Sequence, residues 1–294
     1  MKQLIKTAVP AVLLAPIKFF QFMAGLFSIR YFFQGDVFDK LLEKKSVVHL
    51  TGGRALIFHT PNNLTHFRAL TFLTKEPETL RWIDGFGEKT VFWDVGANVG
   101  LYSLYAAKTR SCQVYSFEPS IENTYLLNRN IAENDLQEKI FAFPFALSES
   151  SGPNMFQHSK IQLGGAINSF GVDYSYDGKP ANFIHKYKVF GFKADDLRGL
   201  FDIPPPNYLK IDVDGIEHLI ARGARATLSN PALESVLIEL NLQFPEQRNE
   251  IISIFEECGL FLQSFEHADG FYGDASFSGI YNHIFTRTRP TVGA

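Results

Sequence analysis

The segment VFWDVGANVGLYSLYAA, residues 91–107, decides how the rest of the sequence is interpreted. It begins as a run of β-forming residues that ends on Asp94, and it continues through a glycine-containing loop into an apolar stretch typical of a helix. A dinucleotide-binding loop has the spacing G-x-G-x-x-G. Counted from Gly96, however, Asn98 and Leu101 occupy the second and third glycine positions. The spacing therefore argues against an NAD-dependent sugar oxidoreductase.

The residues of this loop further restrict the class of ligand that it can bind. It lacks the Gly-Lys-Ser/Thr of a P-loop, and the Asp94 carboxylate at the strand end would repel a pyrophosphate. A loop of small residues beside a carboxylate suits a cofactor that approaches the backbone closely and carries positive charge. S-adenosylmethionine (SAM) has a sulfonium and an α-ammonium but no phosphate, so we expect SAM to contact Asp94 and the loop. The loop residues in question are Gly96, Ala97, Asn98 and Gly100, of which Asn98 also suits a helix cap.

Later strands end in residues that would complete such a site. Glu118 follows the second predicted strand, 22 residues after Gly96, where a carboxylate can accept hydrogen bonds from two ribose hydroxyls. The third predicted strand ends in small and apolar residues suited to flank an adenine ring. The fourth ends in Asp212 and Asp214, which project to the same side if the strand continues that far. The cofactor contacts predicted from these strand ends are Glu118, Pro119, Ala146, Leu147 and Asp212.

The order of elements from residue 91 predicts an α/β fold with a doubly wound parallel sheet. Predicted strands occupy 91–93, 113–117, 140–147, 208–213 and 235–240, and predicted helices occupy 101–107, 120–135 and 216–228. The strand segments are mostly apolar, as in strands buried on both faces. Because Pro144 cannot donate a ladder hydrogen bond, its strand is predicted to lie at the edge of the sheet.

The flanking segments predict further elements. Residues 46–60 have the pattern of a hairpin, and a helix follows with Thr74 as its cap, Pro77 in its first turn and Gly85 at its end. Residues 150–195 break the alternation of strands and helices and contain many Gly, Tyr and Phe residues. We expect this insertion to cover the ligand end of the sheet.

Several of these motifs resemble a known family. The segments FWDVGANVGLYSLYAA, FEP, FALSE, YLKIDVDGIEHLIARGA and VLIELN, in this order, are similar to those of the FkbM-type SAM-dependent methyltransferases. The resemblance implies the class I methyltransferase (Rossmann-like) fold, a doubly wound seven-stranded sheet whose last strand is antiparallel. It also implies O-methylation of a sugar or a similar alcohol, in many members within glycan biosynthesis. The domains are then an N-terminal hydrophobic helical extension (1–46), a hairpin and helix (47–90) and the methyltransferase domain (91–290).

Methyl transfer to a hydroxyl calls for a general base, because an alcohol is a poor nucleophile at neutral pH. The candidates, all at or just after the end of the fourth strand, are Asp214, Glu217 and His218. Asp212, Glu239 and Asn241 raise the alternative of a divalent metal site, although we do not expect a metal. From another functional class, a non-catalytic SAM-binding scaffold of a glycan-assembly complex is the alternative.

Composition and charge restrict the partners and the location. The net charge is −3 over 294 residues and no basic stripe occurs, so a nucleic-acid partner is not expected. Cys112 and Cys258 lie far apart, which favours a cytoplasmic protein without disulfides. Residues 1–54 contain 8 Lys and Arg against 3 Asp and Glu, whereas the remainder contains 20 against 28. The protein therefore has a basic, apolar N-terminus on an acidic body.

The first 33 residues allow three interpretations: a helical extension packed on the body, an interfacial helix in peripheral contact with the inner face of the membrane, and a cleaved or spanning segment. Pro10, Pro16 and Lys18 interrupt the apolar run, so an unbroken span of about 20 residues is absent. The expected acceptor is a small molecule or a lipid-linked sugar, and an interfacial helix would suit the lipid-linked one.

Deleting residues 1–45 should distinguish these interpretations. We expect the truncated protein to stay folded and to bind SAM, because the elements of the sheet begin later. Full-length protein should co-sediment weakly and salt-sensitively with anionic liposomes, and the truncated protein should not. If the truncated protein precipitates or loses SAM binding, the extension is a structural part of the body and the membrane interpretation is wrong.

Overall fold

The computed structural model describes residues 42–266 and 279–289, together with residues 16, 18–20, 22, 23 and 40. The chain divides into two compact units, residues 1–44 and 45–294. In the first unit, the described residues between positions 16 and 23 are helical. Most of residues 1–33 lie outside the described part, so the membrane-contact hypothesis stays a prediction. None of the described helices is long and apolar enough to cross a membrane.

The second unit contains the predicted strands and helices with changed bounds, and it adds helices at 63–75 and 197–201 and the strands of the insertion. The strands are β1 (Lys45–His49), β2 (Ala55–His59), β3 (Val91–Val95), β4 (Gln113–Phe117), β5 (Ile140–Phe143), β6 (Ala146–Leu147), β7 (Gly152–His158), β8 (Asn168–Phe170), β9 (His185–Phe192), β10 (Tyr208–Ile211), β11 (Ser235–Asn241), β12 (Phe261–Glu266) and β13 (Ile280–Thr286). The helices are α1 (Asn63–Lys75), α2 (Pro77–Asp84), α3 (Leu101–Arg110), α4 (Ile121–Glu133), α5 (Leu197–Phe201), α6 (Glu217–Arg222), α7 (Arg225–Ser229) and α8 (Pro245–Glu257).

The central sheet has seven strands in the order β12-β13-β11-β10-β3-β4-β5. Strand β13 runs antiparallel to both of its neighbours, and the other pairs are parallel. This topology confirms the predicted doubly wound sheet with an antiparallel last strand. The chain places β4 and β5 on one side of β3 and places β10 and β11 on the other. The switch point between β3 and β10 is where such sheets bind their ligands.

The sheet is buried on both faces, which explains the nearly unbroken apolar sequence of its strands. Trp93 and Val95 of β3 belong to a core that also contains apolar residues of α6, α8 and the insertion. Phe92, directly before Trp93, belongs to a second core formed with the β1–β2 hairpin and helices α1 to α4. Successive side chains of a strand point to opposite faces, so one short strand joins both cores.

The third predicted strand differs from the prediction at Pro144. Strand β5 is indeed the edge strand, but it ends at Phe143 and does not reach position 147. Beyond the proline, Ala146 and Leu147 form β6, which pairs with β9 in a separate four-stranded sheet. Because proline lacks the N–H that would continue the ladder, the chain leaves the central sheet there and enters the sheet of the insertion.

Two helix predictions also need correction. Thr74 is not a cap, because it lies in the last turn of α1, and Glu76 takes the N-cap position before Pro77. The single helix predicted over 216–228 is two short helices, α6 and α7. They separate at Gly223, where an added Cβ would lie 2.1 Å from the Ser148 carbonyl oxygen.

The sharpest backbone constraint lies at Gly96, directly after β3. Its φ is +83°, and an added Cβ would lie 1.8 Å from the carbonyl oxygen of Asp212 after β10. A residue with a side chain would therefore force apart two neighbouring strand ends. The glycine that the sequence assigns to the cofactor is required by the backbone of the protein itself.

We expect Gly96→Ala to lower the free energy of unfolding by at least about 3 kcal/mol, because it combines a positive φ with a backbone clash. Gly52→Ala is the matched control, since Gly52 has φ +72° but an added Cβ there meets no atom within 4 Å. The control substitution should lower the free energy of unfolding by only about 1–2 kcal/mol. Urea denaturation followed by circular dichroism measures both values, and equal losses would contradict the role of the contact.

Candidate functional site

A cavity of about 410 Å³ lies at the carboxyl ends of the strands around the switch point. It is bordered by the loop after β3, the ends of β4 and β10, helix α1 and the insertion. Nine of the residues predicted from sequence line it: Gly96, Ala97, Asn98, Glu118, Pro119, Ala146, Leu147, Asp212 and Asp214. Residues of the insertion from Gly165 to Phe170 also line the cavity, in agreement with the expected cover.

Asp94 and Gly100 are not among the lining residues. The Asp94 carboxylate is buried, and its Oδ2 accepts a hydrogen bond from the Ser103 hydroxyl of α3 at 2.5 Å. Its Oδ1 is buried with no hydrogen-bond partner among the described residues. Burial raises the pKa of this carboxyl, and Lys210 and Ser103 act in the opposite direction. Direct contact of Asp94 with the cofactor stays a prediction.

Gly100 is needed for close packing at the start of α3. It precedes the first residue of α3 with φ +88°, and an added Cβ would meet side-chain carbons of Leu127 and Leu104 at 2.5 and 2.8 Å. Its N–H donates to the Ala97 carbonyl oxygen at 2.8 Å, which closes the tight turn of the loop.

Glu118 is held firmly beside the cavity. Its two carboxylate oxygens accept hydrogen bonds from the backbone N–H of Asn98 at 2.8 Å and of Ser120 at 2.9 Å. The Asn123 side chain also hydrogen-bonds this carboxylate, which still leaves capacity to accept from a ribose hydroxyl. Burial raises the pKa of Glu118 to about 7, against the lowering effect of the two backbone amides.

A short segment of the insertion, residues 163–167, is tied down over the cavity by side chains from four other parts of the chain. We call it the strap. Its contacts are Asn62 Nδ2 to Leu163 O at 2.9 Å, Arg68 Nε to Gly164 O at 2.8 Å, Asn98 Nδ2 to Gly165 O at 2.8 Å, Asn123 Nδ2 to Gly165 O at 3.0 Å, Gly164 N to Asn123 Oδ1 at 2.9 Å and Ile167 N to Asp214 Oδ2 at 2.7 Å. Through Asn98, the cofactor loop is therefore hydrogen-bonded directly to the strap.

Asp214 lines the cavity in an unusual backbone conformation. Its φ is +63°, and its strap partner Ile167 has φ +60°, which is rare for a β-branched residue. Paired outliers of this kind are typical of sites where geometry is constrained by function. Burial and the nearby Asp212 raise the pKa of Asp214 to about 6, whereas the strap amides and Arg68 act to lower it.

Glu217 and His218 do not line the cavity. Glu217 accepts hydrogen bonds from the backbone N–H of Val213 at 3.3 Å and of Gly215 at 3.1 Å, and it therefore holds the turn that carries Asp214. His218 lies between the Tyr174 hydroxyl at 3.3 Å and the Gln247 amide at 3.2 Å. Both side chains are buried in this network, and a catalytic role for either stays a prediction.

Residues 94–261 of this chain match the FkbM methyltransferase domain. The matched region covers more than half of the chain. The chain belongs to the FkbM methyltransferase family. Membership confirms the resemblance in the sequence motifs and, with it, SAM as the expected cofactor.

Relatives of this FkbM-family chain are distant. A hexuronic acid methyltransferase, AglP, from Haloferax volcanii is 26% identical over 160 residues, which are 52% of this chain and 57% of the relative. Among solved structures, a methyltransferase FkbM from Methylobacillus flagellatus KT aligns with a TM-score of 0.43 and 14% identity, covering 90% of this chain and 60% of that one. Aeropyrum pernix fibrillarin with bound SAM aligns with a TM-score of 0.44 and 14% identity, covering 82% and 92%.

The FkbM domain also contains a buried ammonium group that the sequence analysis did not assign. Lys210, in the middle of β10, is only 1% exposed, and its Nζ lies 2.6 Å from Asp212 Oδ2 and 4.9 Å from the centre of the Tyr102 ring. Burial alone would lower the Lys210 pKa, but Asp212, Asp94 and Glu76 together raise it above its ordinary value. The feature of the sequence that could have indicated this group is a lysine flanked by apolar residues within a predicted strand.

The residues proposed for a metal site are not arranged as one. Asn241 does not line the cavity; its amide donates to the Tyr176 carbonyl at 3.2 Å and its Oδ1 accepts from the Gln243 N–H at 2.9 Å. Within residues 42–266 and 279–289, no three His, Cys, Asp or Glu side chains are grouped so as to hold a metal ion.

The raised pKa of Glu118 predicts a pH-dependent cofactor affinity. Ribose hydroxyls donate more strongly to an ionised carboxylate, and a pKa of about 7 leaves Glu118 mostly protonated at pH 6 and mostly ionised at pH 8. The affinity for S-adenosylhomocysteine (SAH) should therefore rise by up to about tenfold across this range. Isothermal titration calorimetry of the wild type and Glu118→Gln measures the effect.

The glutamine variant should bind SAH more weakly at pH 8 and show little pH dependence. NAD should bind neither protein. Since Asp214 also titrates near this range, the comparison between the two proteins isolates the Glu118 contribution. An unchanged pH dependence in Glu118→Gln would contradict the assignment of Glu118 to the ribose.

Proposed function

We propose that this chain is a SAM-dependent O-methyltransferase that acts on a hydroxyl of a sugar or glycan precursor. The observation that carries the proposal is the convergence of Glu118, Asp212 and Asp214 on one cavity at the switch point of the sheet. Glu118 and Asp212 are suited to the two ends of the cofactor, and Asp214 is a carboxylate suited to a reacting hydroxyl.

The residues present fit SAM. Glu118 would hold the ribose, Ala146 and Leu147 would flank the adenine, and Asp212 would attract the α-ammonium. When bound, SAM supplies an electrophilic methyl group on a sulfonium. The chain then needs mainly to align the acceptor oxygen with that methyl group, and such positioning contributes on the order of 7–11 kcal/mol to catalysis.

Asp214 is our proposed general base. Its carboxylate would take the proton of the acceptor hydroxyl as the carbon–oxygen bond forms and the methyl–sulfur bond breaks, with SAH as the leaving group. A pKa of about 6 keeps it mostly ionised at neutral pH and still basic enough to accept a proton. The Ile167 amide donates to its Oδ2 at 2.7 Å and the Asn168 amide also hydrogen-bonds the carboxylate, so the acceptor hydroxyl would use its remaining lone pairs. Glu217, second in the order of candidates, would act through the turn that it holds.

The strap contributes by excluding water from the reacting groups. Its hydrogen bonds to Asn98 and Asp214 connect the cofactor loop with the base. The strap would therefore orient both groups at once.

The acceptor class rests on the distant relative AglP, whose name describes methylation of a hexuronic acid. A uronic acid offers hydroxyls and a carboxylate. A carboxylate is already ionised and needs no base, so the half-buried Asp214 in the cavity favours a hydroxyl. We propose a cytoplasmic location, which agrees with the two buried free cysteines.

The test uses labelled SAM with extracts of the producing cells, followed by identification of the labelled product. Asp214→Asn should reduce the rate of labelling by about 10²–10⁴-fold. Asparagine tolerates the positive φ and keeps an oxygen for the Ile167 amide, so the strap contact survives. SAH affinity should change by less than about threefold.

Asp202→Asn is the matched control, because Asp202 is exposed and also has a positive φ of 54°. It should label the product at the wild-type rate. Labelling by Asp214→Asn at the wild-type rate would remove Asp214 as the base. Tight SAM binding by the wild type with no labelled product would instead favour the non-catalytic scaffold.

A further inference from the structure

Glu239 occupies a position in the cavity that the cofactor contacts do not use. In β11, Leu237 pairs with Lys210 of β10, and Glu239 is two residues farther along the strand. Residues in register share a face, and side chains alternate along a strand. The Glu239 side chain is therefore on the same face as Lys210, one strand farther from Glu118 than Asp212 is. Glu239 lines the cavity together with Lys75 and Glu76.

The neighbouring charged groups already have partners. Glu76 accepts hydrogen bonds from Lys75 Nζ at 2.8 Å and from the Tyr102 hydroxyl at 2.7 Å. Asp212 is paired with Lys210. Within the described part of the chain, the Glu239 carboxyl has neither a hydrogen bond nor an ion pair, although it faces the cavity. The Glu239 carboxyl therefore has hydrogen-bonding capacity left for a ligand.

The strand order indicates which ligand this is. Strands lie about 4.8 Å apart, so a cofactor that reaches from Glu118 on β4 across β3 to Asp212 on β10 ends before β11. We propose that Glu239 is an acceptor-binding residue that hydrogen-bonds a hydroxyl of the sugar and so selects its orientation. This inference rests on the proposed methyltransferase function.

The local electrostatics favour a neutral hydroxyl-bearing group at this position. Burial raises the pKa of Glu239 well above its ordinary value, and Asp212 and Glu76 raise it further, against the effect of Lys75. A protonated carboxyl both donates and accepts a hydrogen bond, which matches a sugar hydroxyl. An acceptor carboxylate at the same place would face the negative charges of Asp212 and Glu76. A uronic acid would therefore bind here through its hydroxyls.

The test measures sugar binding separately from cofactor binding. The protein is saturated with SAH, and p-nitrophenyl β-D-glucopyranoside and p-nitrophenyl β-D-glucuronide are titrated in calorimetry for the wild type, Glu239→Gln and Glu239→Ala. We expect the wild type to bind at least one glycoside, Glu239→Gln to bind it within about threefold because an amide also donates and accepts, and Glu239→Ala to bind it at least about tenfold more weakly. Glu138→Ala, at an exposed turn, is the control and should match the wild type.

SAH affinity decides between an acceptor role and a cofactor role. It should stay within about twofold of the wild type in both Glu239 variants, which also shows that they are folded. A parallel loss of SAH affinity would assign Glu239 to the cofactor and overturn the proposal. Wild-type binding of the glycoside by Glu239→Ala, failure of Glu239→Gln to bind it, or no binding of either glycoside by the wild type would also overturn it. The labelling of cell extracts still judges methyl transfer independently of these outcomes.

Discussion

The close approach of two strand ends at Gly96 is the constraint on which the site depends. The chain leaves β3 with no space for a methyl group between Gly96 and the Asp212 carbonyl. The Asp212 N–H also donates to the Val95 carbonyl at 3.0 Å, so the two strand ends are joined as well as close. This contact fixes the cofactor loop relative to the acidic turn after β10. The contact therefore determines how the side chains of these two segments are placed relative to each other.

The second constraint is the burial of charge. Asp94, Asp212 and Glu76 surround the ammonium of Lys210 in a region with little access to water. An unpaired buried charge costs several kcal/mol, and the ion pair between Lys210 and Asp212 offsets part of that cost beside the cavity. The Glu76 carboxyl shows the effect: burial would raise its pKa, yet Lys75 and Lys210 bring it down to about 2. The surplus of carboxylates over ammonium groups suits a cationic cofactor.

The sequence predicted the parts of the site that depend on strand ends, and it failed where distant segments meet. Asp214 was expected in the cavity through strand alternation, but β10 ends at Ile211, and Asp214 reaches the cavity through a left-handed turn. Pro144 correctly indicated an edge strand, yet its missing N–H also ended that strand early. The strap anchors Asn62 and Arg68 bond to residues about 100 positions away, a pairing that no local pattern encodes. Lys210 was overlooked because its three carboxylate neighbours come together only in the fold.

The crystal structure of the complex with SAH is the most direct test of the central claim, that the switch-point cavity is a methyl-transfer site. The account predicts the ribose hydroxyls within hydrogen-bond distance of the Glu118 carboxylate, the amino-acid end beside Asp212 and the sulfur directed to the space between Asp214 and Glu239. SAH bound outside this cavity, or with its ribose away from Glu118, would contradict the account.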